Sequence, residues 1–178
     1  MHEQILKFWF AELGPKQWWG KDEALDALIA ARHAGLLAGA SRCELYDWRD
    51  SPRGRLAEII VLDQFSRHVH RDTPLAFASD PLALALAQEA VARGADDALT
   101  PGERVFLYLP YMHSESAAIH ALAVRLFATP GMEGNLDFER RHQAVIERFG
   151  RYPHRNAVLG RTSTPAELEF LKTPGSAF

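Results

Sequence analysis

Of the seven places in this chain where a small polar residue is followed directly by proline, four are read as helix starts: Ser51-Pro52, Asp80-Pro81, Thr100-Pro101 and Thr164-Pro165. That pair starts a helix, because the polar side chain accepts from backbone N–H groups left open at the first turn and proline has no N–H to lose there. Two of the four, Thr100-Pro101-Gly102-Glu103 and Thr164-Pro165-Ala166-Glu167, add the glutamate of a capping box. No window alternates apolar and polar residues as a half-buried strand must, and no hairpin turn is present. The fold class is therefore all-α.

Apolar spacing fills in the remaining helices. Ile5, Leu6, Trp9, Phe10 and Leu13 mark a first helix over 3–13 that Gly14-Pro15 stops, leaving Trp18 and Trp19 in a loop as a lid or platform. Leu25, Leu28, Ile29 and Leu36 line a helix over 22–37, and Leu45 and Trp48 anchor the connection after it. Leu56, Ile59, Ile60, Val61 and Leu62 are apolar all round, which places the helix opened by Ser51 at the centre of the core. Pro110 is expected to kink or end the helix begun at Thr100. Ile119, Leu122, Ala123, Leu126 and Phe127 face inward from 114–128, and Phe138, His142, Val145, Ile146 and Phe149 from 136–149. Gly150 then suits the left-handed residue beyond a helix end. The sum is about eight helices in stacked antiparallel pairs, an irregular helical array over a single domain, residues 1–178.

The chemistry concentrates late in the chain. From Arg140 to Arg161 there are six arginines and one acid, Glu147, although the whole chain carries a net charge of −3. That net charge gives no global field for nucleic acid or anionic lipid. Arginine offers a planar fork suited to carboxylate and phosphate. Phe149-Gly150-Arg151-Tyr152-Pro153-His154-Arg155 also echoes Phe65-Ser66-Arg67-His68-Val69-His70-Arg71 in the pattern F-x-R-x-x-H-R, each copy expected to follow a helix. Together the copies would gather Arg67, Arg71, Arg151 and Arg155 around His70 and His154, a cluster able to hold an anion. Alternatively these arginines cap helix ends and pair with Asp63, Glu58, Asp72 or Glu147. His113 and Glu115 could form a base with its orienting acid or a pair of metal ligands, or Ser114 and Glu115 could merely cap the next helix.

Much is missing that other functions require. No H-E-x-x-H or Cys/His framework, phosphate-binding glycine loop or G-x-S-x-G is present, so neither metal nor cofactor is indicated. The one cysteine, Cys43, precludes an intrachain disulfide and fits a reducing compartment. No stretch reads as the roughly 18 apolar residues of a membrane span, and no signal peptide is evident, so a cytoplasmic protein is expected.

LDQFSRHVHRDTP, FLYLPYMHSE and ERFGRYPHRNAVLGRTSTPAELEFL, closing in PGSAF, resemble one family nearly end to end, from Ile5 to Phe178. It is the bacterial family called Domain of Unknown Function 924. The resemblance implies a tetratricopeptide-like helical fold and no established activity. It marks Arg67, His113, Glu115, Arg151, His154, Arg155 and Asn156 as the polar positions matching the family pattern. Ser66 and His68 depart from it, since Pro and Asn are usual there.

The expected function is binding of a small anionic ligand, or of a peptide or protein partner, through Arg67, His113, Arg151, His154, Arg155 and Asn156. A hydrolase or lyase using His154 or His113 as base with Glu115 is the alternative, and a purely structural or interaction module is the third.

Overall fold

The computed structural model describes residues 1–176; Ala177 and Phe178, the end of the PGSAF motif, lie outside the described residues. The described chain is helical and contains no strand. It divides into two compact units, one of residues 1–71 and 75–110 and the other of 72–74 and 111–176. The single-domain expectation is thus a statement about cooperativity, which unfolding tests.

The first unit is built on a helical rod from Pro52 to Val69. It comprises α4 (Pro52–Ile60), one wider π turn (Val61–Phe65) and α5 (Ser66–Val69). Ser51 caps it by accepting from the Gly54 N–H at 3.1 Å. Leu56, Ile59, Ile60, Val61, Leu62 and Phe65 are all sealed from solvent, so the helix opened by Ser51-Pro52 is the core element of this unit. Around it pack α1 (His2–Lys7), α3 (Glu23–Ser41) and α6 (Asp80–Ala92). The short α2 (Pro15–Trp19) lies between α1 and α3 in the chain.

Several local expectations are corrected. Pro15 does not leave a loop behind it: it opens α2, whose Gly14 N–H reaches the Gln17 side chain at 3.1 Å. Trp18 and Trp19 therefore sit on a helix, with Trp19 stacked on Phe106 and 57% exposed. α3 continues past Gly39 to Ser41. α7 (Pro101–Met112) runs through Pro110 for two more residues. The stretch Pro74–Ala92, a 3-10 turn followed by α6, has a mean hydropathy of 1.2 and is long and apolar enough to span a bilayer by length and composition alone. In this unit its Asp80 is tied to Arg67, while Ala83, Ala87 and Ala90 are buried on the side facing α4.

The second unit is organised by α8 (Ala117–Phe127) and α9 (Glu133–Phe149), which pack along each other across the connection 128–132. The inward stripes differ from the expected ones by a small rotation. His120, Ala123 and Phe127 are buried on α8 while Leu122 is exposed. On α9 the stripe is Glu139, His142, Val145 and Ile146, and Phe138 is 53% exposed beneath the Arg141 guanidinium. α10 (Pro165–Leu171) closes the unit behind a complete capping box between Thr164 and Glu167.

Candidate functional site

Gly150 ends α9 in the left-handed conformation, at φ +70, with its N–H on the Ile146 carbonyl at 2.8 Å. The chain then turns inward at Tyr152, which is fully buried. Its N–H donates to Glu115 Oε1 at 2.8 Å and its hydroxyl donates to the Met112 carbonyl at 2.6 Å. The Arg155 guanidinium lies 4.7 Å from the ring centre, and the rings of His120, His142 and His154 stand 5.4 to 6.3 Å away. Burial pushes His142 down to about 3 and His154 down to about 4, helped for His154 by Arg155, so both imidazoles are neutral at pH 7. The His142 Nδ1–H donates to the Phe138 carbonyl at 2.8 Å, which fixes its tautomer.

The loop that follows is tied down by its own charges. Arg161 forks onto Glu115 at 2.6 and 2.9 Å and also reaches the Tyr152 carbonyl at 3.1 Å and Asn156 Oδ1 at 3.0 Å. Burial raises the Glu115 carboxyl, but Arg161 and the Tyr152 N–H outweigh it and hold the group below its ordinary value. Arg151 forks onto Glu167 at 2.6 and 2.8 Å and onto the Thr162 carbonyl at 2.9 Å. Arg151 and the Thr164 backbone bring the Glu167 carboxyl down to about 2.

These contacts give several of the arginines partners within the protein. Of the six expected ligand residues, Arg67 belongs to the first unit, and His113, Arg151, His154, Arg155 and Asn156 to the second. Arg67 is engaged by Asp80 at 3.0 and 3.1 Å and by the Asp63 carbonyl at 2.6 Å. Arg71 clasps Asp26, which also meets His68 Nδ1 at 2.7 Å. Asp63 is a partner as expected, 3.4 Å from Arg67; Asp80, Asp26 and Glu167 are the others for Arg67, Arg71 and Arg151, Glu115 takes Arg161, and Glu58, also expected, holds Arg49 instead. The two F-x-R-x-x-H-R segments are also unlike in structure. The first begins inside a continuous helix, because nothing between Ile60 and Val69 stops it, whereas Gly150 and Pro153 break the second. Both Glu115 oxygens accept hydrogen bonds, from Arg161 and from the Tyr152 N–H. No three His, Cys, Asp or Glu side chains stand together as a metal-ligand set among the described residues.

An open cavity of about 460 Å³ in the second unit is lined by Arg148, Phe149, Arg151, Thr164, Ala166 and Glu167. Arg148, on the last turn of α9, lies over the Phe149 ring at 4.7 Å and the Phe170 ring at 5.9 Å. Among the described residues no carboxylate pairs with it. Its charge is the uncompensated one at this cavity, because Arg151 and Glu167 cancel.

Sequence reasoning missed His120 and Glu139. His120 Nδ1 is 2.6 Å from Glu139 Oε1, and neither side chain has any solvent exposure. The signal was available: His120, Ala123 and Phe127 share one helix face, as do Glu139, His142 and Ile146.

No curated protein matches the sequence. A solved structure of ATU0120, a protein of unknown function from Agrobacterium tumefaciens, is similar at 38% identity and a TM-score of 0.91, covering 96% of each chain. With residues 5–175 matching its sequence pattern, the chain belongs to the family of bacterial proteins of unknown function DUF924.

Proposed function

We propose that the second unit binds a small anionic ligand, a carboxylate with an apolar body, in the cavity beside Arg148. The observation that carries this reading is the guanidinium itself: exposed, resting on the faces of Phe149 and Phe170, and matched by no acid among the described residues. A guanidinium stacked on rings keeps its N–H edge for a planar anion, while the rings offer apolar contact to the rest of the ligand. The site differs from the six-residue pocket expected from sequence. Of those six, Arg151 lines this cavity, and its role is to hold Glu167 and the start of α10 in place.

One charge-assisted fork in an open cavity supports affinity of about 1 mM. Phenylacetate at about 20 mM would then stabilise the folded chain by about 1.8 kcal/mol, or roughly 4 to 7 °C in Tm for a chain of this size. The reference is sodium chloride at equal ionic strength, with inorganic phosphate as a second anion. R148A abolishes the shift and R148K, which keeps the charge but not the fork, retains a fraction of it. Equal shifts in wild type and R148A refute the assignment.

A further inference from the structure

The His120–Glu139 pair allows its protons to be counted. His120 Nε2 faces the Ser114 carbonyl at 2.9 Å, and a carbonyl only accepts, so Nε2 carries a hydrogen. Tyr152 spends its hydroxyl proton on Met112, so its oxygen, 3.2 Å from Nε2, is a second acceptor for that same N–H. The 2.6 Å contact between Nδ1 and Glu139 Oε1 then needs one proton, on either atom. The other carboxyl oxygen, Oε2, is buried and has no hydrogen-bond partner among the described residues. An ionised carboxylate with a bare, sealed oxygen is costly, whereas the carbonyl oxygen of a neutral acid is far less so.

We propose that Glu139 is held as a neutral carboxylic acid donating to Nδ1 of a neutral His120, and that this proton latches α8 and α9 to the loop beginning at Tyr152. The latch runs from Glu139 through His120 to the Tyr152 hydroxyl and on to Met112. Tyr152 in turn fixes the loop through Glu115 and Arg161. Burial, opposed by His120, raises the Glu139 carboxyl above its ordinary value of 4.5. The ionisable groups facing the pair point the same way. On α9 stands His142, and from the loops His113 and His154; these rings and His120 disfavour a positive charge on one another, which keeps the cluster around the pair uncharged. Glu115 is already neutralised by Arg161.

The sign follows from linkage. A carboxyl whose folded value is raised contributes stability in full below 4.5, and that contribution is lost as pH rises through the raised value. The amide N–H of E139Q takes over the donor role towards Nδ1 without a titrating proton. Relative to wild type, its folding constant therefore gains up to tenfold per pH unit between 4.5 and the raised value of Glu139, and no more above it. At pH 8.5 the Tyr152 and Arg161 amides exchange with deuterium faster in wild type than in E139Q. A second measurement needs no variant: nitrogen NMR of His120 at pH 7 shows one protonated and one bare ring nitrogen. Two protonated nitrogens, or an E139Q protein less stable than wild type by the same amount at every pH, overturn the proposal.

Discussion

Two of the histidines around Tyr152 make acid the natural way to unfold the second unit. In the unfolded chain His142 and His154 titrate near 6.5, and in the folded chain at about 3 and about 4. Because the folded values are depressed, the stability they confer is fully present above pH 6.5 and is lost as pH falls towards 4. Between pH 6 and pH 5 each histidine costs about 1.4 kcal/mol per pH unit, the linkage of one proton. By pH 5 the accumulated loss is about 2 kcal/mol for His142 and somewhat less for the partly exposed His154. Together that is a large part of the roughly 5–15 kcal/mol that holds an ordinary domain folded. The assay is urea denaturation followed by circular dichroism at pH 7.5, 6 and 5. H142F keeps a ring against Tyr152 but cannot titrate, so the slope of stability against pH over this interval falls by about 1.4 kcal/mol per unit relative to wild type. An unchanged slope in H142F would refute the burial of a neutral imidazole at this position. The comparison is insensitive to His33 and His68, also depressed by burial, because they titrate alike in both proteins.

Two further outcomes follow from the same geometry. Y152F leaves the Met112 carbonyl without its donor and removes an acceptor from His120, and it lowers stability by about 1–3 kcal/mol without disturbing the ring packing, as measured by denaturant midpoint. If the two compact units fold as a single domain, near- and far-ultraviolet signals melt in one coincident transition; two separated transitions would show that the units unfold independently.

The helices were legible because their signals are local. Ser51, Thr100 and Thr164 each bond the first turn of the helix they announce, and Gly150 has the positive φ its position implied. What misled was punctuation read as a full stop. Gly14-Pro15 does end the first helix, but Pro15 also opens α2, since proline is tolerated in a first turn, and the helix expected to kink or end at Pro110 runs on to Met112. The arginines were legible as chemistry but not as partners. Nothing in the sequence says that Arg67 meets Asp80, 13 residues on, or that Arg161 meets Glu115, 46 residues back. Those distances are set by packing. His120 stayed hidden because an apolar helix face was read for its hydrocarbons, and Ile119 and Leu122 took its place in the stripe. Arg148 belongs to the cationic run, but that no acid among the described residues pairs with it is a fact of three dimensions.

The anion site is tested most directly at the guanidinium itself. In protein labelled with nitrogen-15, the Nε–H resonances of the arginine side chains are followed during titration with phenylacetate at constant ionic strength. The account predicts a saturable shift at Arg148, accompanied by the backbone amides of Thr164 and Ala166, with the Arg67 and Arg161 resonances unmoved. Saturable shifts at those paired arginines while Arg148 stays still would contradict it.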